Sequence, residues 1–186
     1  MKKFKKKVLY LISFLIFISI LTTTYFIGPK NIVTFVGLEN IYILTFFLAI
    51  IGGVFFLTAS SFYASFVTFI LGGADLLTLS LISAFGLTIG DSVFYYIGKK
   101  SRLIGNESIY KDKIKKFTKW LNNYSYKKVF LFIFFYWGFS PFPKDIVSLG
   151  FGISNYGLKK IIIAIFCGNI MFTLLIGNLA IFGLME

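Results

Sequence analysis

The chain has 186 residues, of which 58% are hydrophobic and 14% charged, with a mean hydropathy of +0.86 and a net charge of +12. A water-soluble domain of this length carries far more polar surface, and apolar runs of about twenty residues recur, the length that crosses roughly 30 Å of hydrocarbon; the composition therefore predicts an all-α, polytopic membrane protein. Histidine is absent and Cys167 is the single cysteine, which excludes an intramolecular disulfide, a Cys/His metal site and the imidazole base of many membrane hydrolases.

The charge is unevenly placed. Five lysines lie within residues 1–7, and ten of the 19 basic residues lie within 99–128. Positive charge stays cytoplasmic, so both regions are assigned to the inner side of the cell membrane, with the N-terminus cytoplasmic. Polybasic segments beside membrane spans orient a protein and attract anionic lipid, so the partners are membrane lipids and anionic head groups rather than nucleic acid.

Residues 1–30 read as a basic segment and an anchor helix. The span covers 8–27; apolar character continues through Tyr25, Phe26 and Ile27 with no small-x-small cleavage pattern, so an uncleaved anchor is expected. Gly28-Pro29 ends it, and 30–40 form an outer connection. Residues 31–186 make the membrane domain. Its first part, 41–73, is interrupted by Gly52-Gly53 and by Thr58-Ala59-Ser60-Ser61, too long for one span and short for two. Span 76–98 starts outside near Asp75 and ends at Lys99-Lys100 inside, so 41–73 begins and ends outside: an outer hairpin with its tip at Ser60 to Ser65.

The linker 99–128 behaves differently. Tyr110, Ile114, Phe117, Leu121 and Tyr124 recur at helical spacing, with Lys111, Lys113, Lys115, Lys116 and Lys119 between them. Such a basic amphipathic helix lies in the inner interface, with Lys111, Lys115, Lys116 and Lys119 on lipid head groups, or docks as a loop helix with solvated lysines; the spacing fits both.

The inner hairpin, 129–157, carries Ser140-Pro141-Phe142-Pro143-Lys144-Asp145 between apolar flanks. A continuous helix there loses hydrogen bonds at both prolines and carries two charges into hydrocarbon, so the segment reads as the broken tip of a re-entrant hairpin. Lys159-Lys160 returns the chain inside, and span 161–185 runs outward. Two hairpin-plus-span units of opposite orientation form an inverted repeat, with a short echo between Gly90-Asp91-Ser92-Val93-Phe94 and Gly168-Asn169-Ile170-Met171-Phe172.

Several residues are candidates for substrate binding and translocation. Lys144 can neutralise a phosphate at the inner tip or pair with Asp145, which in turn balances the lysine or takes up a proton. Asp91 lies about 12 Å along the helix from Lys99, inside the hydrocarbon, as a functional carboxylate or an interhelical hydrogen-bond partner. Pro141, Pro143 and Ser140 shape the inner tip, and Ser61 and Ser65 line the outer one or pack between helices. The motifs supply no nucleophile with an adjacent base, no metal ligand set and no cofactor site, so an enzyme is not expected.

The series Gly86-x-x-x-Gly90-Asp91-x-x-x-Tyr95-x-x-Gly98-Lys99, the basic linker, Ser140-Pro141-Phe142-Pro143-Lys144-Asp145 and Gly150-x-Gly152 resembles the DedA family, also called the VTT or SNARE-associated membrane family, over residues 50–183. The resemblance implies two re-entrant hairpins meeting from opposite faces and the movement of polyprenyl phosphate or phospholipid between leaflets. The sequence departs from that family in having no proline between Pro29 and Pro141, and in offering Lys144 where arginines flank the second hairpin's proline. The functional expectation is a flippase or scramblase for a phosphate-bearing lipid, compatible with a homo-oligomer. The alternatives are a non-transporting membrane scaffold acting through the basic helix, and a small ion or solute transporter.

Overall fold

The computed structural model describes residues 2–54, 56–104, 116, 118–119, 121, 123–140 and 144–183. Every regular element among them is a helix: α1 (Lys2–Ile27), α2 (Pro29–Val36), α3 (Leu38–Val54), α4 (Phe56–Leu71), α5 (Leu76–Ile104), α6 (Tyr126–Phe139), α7 (Lys144–Ile153) and α8 (Leu158–Phe182). Leu76–Ser101 and Leu158–Phe182 are each long and apolar enough to cross a membrane, so the chain is a membrane protein with helical spans.

α1 meets α2 at Gly28 with a bend of 100°. Gly28 takes a φ of 84°, open to glycine at little cost, and Pro29 enters α2 at its first turn, where a missing N–H is harmless. Within the connection expected at 30–40, residues 29–36 form a helix: Val33 turns inward while Phe35 stands 92% exposed.

The break expected at Ser60 to Ser65 lies elsewhere. The division between α3 and α4 falls next to Val54, and Ser60, Ser61 and Ser65 lie within α4 rather than at a tip. Hydroxyl side chains can satisfy themselves on backbone carbonyls, so a serine-rich run is no barrier to a packed membrane helix. Thr58 Oγ1 donates to the Ile51 carbonyl across the division at 3.0 Å. Gly53 lets α3 lie directly on α5: a Cβ there would sit 2.9 Å from the Leu87 carbonyl oxygen and 3.1 Å from Gly90 Cα.

The division between α6 and α7 falls where the prolines predict. Ser140 is extended (φ −85°, ψ 130°), as residues preceding proline are, and its N–H closes α6 on the Tyr136 carbonyl. Pro141, Phe142 and Pro143 lie outside the described residues, and α7 begins at Lys144, so the lysine and Asp145 occupy a helical first turn. In the linker, Lys111, Lys115, Tyr110, Ile114 and Phe117 lie outside the described residues; Lys116 and Lys119 are helical and exposed, and Leu121 is fully buried.

Packing follows a regular scheme. α3 lies on α5 and α6 on α8, while α7 crosses to α5 and α4 to α8, and α5 and α8 pack on each other. Gly86 faces the Phe46 carbonyl, Ala49 Cβ and the Ile50 nitrogen; Gly168 faces the Phe134 carbonyl, Trp137 Cβ and the Gly138 nitrogen. α4 and α7 end alike: Ala74 N–H bonds Phe69 O and Gly73 N–H bonds Ile70 O, while Tyr156 N–H bonds Phe151 O and Asn155 N–H bonds Gly152 O, with Gly73 and Asn155 both left-handed.

Two apolar cores result. One gathers Ile41, Ala49, Phe62, Phe66, Leu79 and Leu87; the other gathers Tyr95, Val129, Ile133, Trp137, Phe151 and Ile165.

Candidate functional site

Asp91 lies on α5 one turn from Leu87 of the first core and one turn from Tyr95 of the second, and is itself 4% exposed. A carboxyl group held between two apolar cores needs hydrogen-bond partners, because burial without them costs several kcal/mol. It has two. Trp137 Nε1 on α6 and Asn169 Nδ2 on α8 each donate to Asp91 Oδ2 at 2.9 Å.

Asn169, fully buried, extends the cluster in two further directions. Its Nδ2 also lies 3.3 Å from Thr88 Oγ1, which donates in turn to the Ala84 carbonyl at 2.7 Å. Its Oδ1 accepts from Lys144 Nζ at 3.2 Å. The amide therefore presents its oxygen to the ammonium and its nitrogen to the carboxyl group, bridging two titratable side chains that α7 and α5 bring from different parts of the chain. One turn along α8, Thr173 Oγ1 donates to the Asn169 carbonyl at 2.9 Å and so continues the polar line.

The Lys144 ammonium also sits over the Phe172 ring, 4.1 Å from its centroid, and Phe172 packs edge-on against Tyr63 of α4 at 5.4 Å. A lysine in the first turn of α7 opposes the helix dipole, whereas Asp145 beside it is favoured there; the ring face and the Asn169 carbonyl offset the lysine's disadvantage. Among the described residues Lys144 makes one hydrogen bond, to Asn169, and no ion pair with Asp145. An ammonium carries three N–H groups, of which the bond to Asn169 uses one.

The structure thus joins Lys144 and Asp91 and places Asp145 next to them in the first turn of α7. Ser140 closes the opposite arm of the break. Ser61 and Ser65 are half-buried within α4; the Ser61 hydroxyl has no hydrogen-bond partner among the described residues. The sequence reading did not place Trp137, Asn169, Thr88 or Phe172 among the site residues, though it noted Asn169 in the echo of Asp91. Asn169 carried a signal, being a polar amide in the middle of an apolar span. Trp137 carried a weaker one, since its indole N–H needs an acceptor wherever a tryptophan is buried. Thr88 and Phe172 carried none: threonine and phenylalanine are ordinary in membrane helices.

Among the described residues no group of three His, Cys, Asp or Glu side chains could hold a metal ion. Comparison with protein-family models, with curated proteins and with solved structures finds no match for the chain.

Proposed function

We propose that the chain is a lipid transporter of the DedA type, a flippase or scramblase that moves a phosphate-bearing lipid between leaflets. The observation that carries this reading is the Lys144–Asn169–Asp91 bridge. A cation stands at the break of a membrane hairpin, tethered through a neutral amide rather than locked in an ion pair, so an anionic head group can compete for it. The carboxyl group one amide away keeps the cluster neutral when the head group leaves. Acyl or prenyl tails stay in the bilayer throughout, and only the head group needs the polar line between α5 and α8.

The packing scheme supports two opposed hairpin-plus-span units. The first arm of each unit, α3 or α6, lies on its own span, and the second arm, α4 or α7, crosses to the other span. In that register Gly86 answers to Gly168, because their contacts match and the same interval separates the ends of α4 and α7. Asp91 and Asn169 then meet near the centre of the repeat as hydrogen-bond partners instead of occupying equivalent positions. α3 and α4, both shorter than a span, are the arms of the outer hairpin, and the lysine clusters orient the whole with the start of α8 inside.

Reconstitution tests the function. Purified protein in vesicles of phosphatidylcholine with phosphatidylglycerol is expected to accelerate movement of a labelled phospholipid head group between leaflets. Lys144→Ala should slow it about 10- to 100-fold, the equivalent of one hydrogen bond to a charged group. Wild-type protein that moves no head group but exchanges a soluble ion or solute would replace the lipid with that substrate.

A further inference from the structure

A groove of about 260 Å³ opens between α5 and α8, with Phe85, Ile89, Ile163 and Phe166 among its walls and Thr88 and Ser92 along its α5 side. Phe85, Ile89 and Ile163 are 57%, 44% and 56% exposed, whereas Thr88 is buried. Both helices carry candidate membrane spans, so the mouth of the groove faces hydrocarbon rather than water.

The two hydroxyls do not make it a polar site. Thr88 Oγ1 donates to the Ala84 carbonyl and Ser92 Oγ to the Thr88 carbonyl, each at 2.7 Å, so both protons are spent on their own helix. What remains toward the groove is methyl, methylene and aromatic surface. Phe85 and Phe166 meet across the two helices with ring centroids 4.5 Å apart, giving the groove a wall from each span. Its volume lies below the roughly 300–1,000 Å³ of pockets for drug-sized ligands, which suits a segment of one chain and not a head group. Thr88 also accepts from Asn169, so the groove adjoins the polar cluster that ends at Lys144.

We infer that this groove is a binding site for a single hydrocarbon chain of an anionic bilayer lipid, acyl or prenyl. It rests on the lipid-transport reading only in assigning the groove's occupant the anionic head group that Lys144 attracts. A chain seated there holds its lipid beside the Lys144–Asn169–Asp91 line, so the tail lies between α5 and α8 and the head group meets Lys144 at the start of α7. An oily occupant is required because a polar one would find no donor in the walls, and a lipid is required because the mouth opens to the bilayer.

The test uses the full-length protein in vesicles containing a phosphatidylglycerol analogue with a photoactivatable diazirine in mid-chain. After irradiation, adducts are mapped by mass spectrometry. Labelling at Phe85, Ile89, Ile163 and Phe166 is expected to fall about tenfold under excess unlabelled phosphatidylglycerol, while labelling at the exposed Ile43 and Phe47 of α3 falls only by dilution. The double variant Ile89→Phe/Ile163→Phe narrows the groove with apolar bulk and should remove the competable adducts at Phe85 and Phe166. Its thermal midpoint is measured alongside, and Ile163→Phe alone serves if the double variant does not fold. Labelling at the groove that matches Ile43 and Phe47 in its response to competitor would overturn the inference, leaving ordinary boundary lipid. Adducts or cross-links joining two copies through Phe85 would also overturn it, making the groove a contact between copies. Competable labelling without head-group translocation sustains the groove and removes the transport reading; translocation without competable labelling does the reverse.

Discussion

Asp91 receives its two hydrogen bonds from different directions, Trp137 on α6 and Asn169 on α8, and both fall on the same oxygen. Neither donor is replaceable by an apolar residue without leaving part of a buried carboxyl group unpaired. Trp137→Phe removes the indole N–H together with part of a fully buried ring, so it is expected to lower stability by about 1–3 kcal/mol, an interhelical hydrogen bond plus the cavity left behind. Denaturant-induced unfolding in mixed micelles measures it; an unchanged midpoint would mean the indole bond contributes nothing. Asn169→Leu is harsher, because it strands the Lys144 ammonium and one side of Asp91 together. Head-group movement in that variant should fall at least as far as in Lys144→Ala, and Asn169→Gln should restore part of it. Asp75 acts at the other end of α5: hydrogen bonds from the Thr78 side chain and from the Thr78 N–H, the latter to Oδ2 at 2.7 Å, cap the helix and hold the carboxyl below the usual carboxylate range. A depressed pKa contributes stability above the ordinary carboxylate range and loses it as pH falls through the folded value. Wild type and Asp75→Ala should therefore differ in thermal midpoint near neutral pH and converge on acidification.

At the scale of elements, glycines decide how closely the helices approach. A Cβ on Gly90 would lie 2.6 Å from the Gly53 backbone, and one on Gly168 would lie 2.5 Å from Trp137 Cβ. Because the obstacles are backbone and a fully buried tryptophan rather than flexible side-chain ends, Gly90→Ala and Gly168→Ala must push helices apart, at a cost of about 1–3 kcal/mol. Gly157 meets nothing closer than 3.9 Å, so Gly157→Ala should leave the unfolding midpoint in place and serves as the comparison. Gly168→Ala has a second consequence, since it displaces Trp137 from Asp91 and should weaken the site along with the packing. In the sequence these glycines are individually unremarkable members of apolar helices. Which of them lies on a partner's backbone follows from helix pairing, and no local pattern states it.

For the whole molecule, the lysine clusters make a topological prediction. Single cysteines placed in a Cys167→Ser background at Leu77 and at Lys160 should react with an impermeant thiol reagent from opposite sides, the first from outside and the second from inside. Labelling of both from one side would break the two-unit arrangement, whatever the transport assay gives. Composition and hydropathy suffice to place the chain in a membrane and to locate α5 and α8, because a twenty-residue apolar run has few other uses in a 186-residue chain. The break between α6 and α7 was equally plain, since proline removes a backbone donor wherever it stands. The division between α3 and α4 was expected at Ser60–Ser65, but serines also pack between membrane helices, so their presence does not determine where a helix ends. Only the tertiary structure decided that Trp137 and Asn169 converge on Asp91 and that Asn169 links it to Lys144: α5, α6, α7 and α8 supply these residues from separate parts of the chain, and only helix packing sets which side chain must answer a buried carboxyl group.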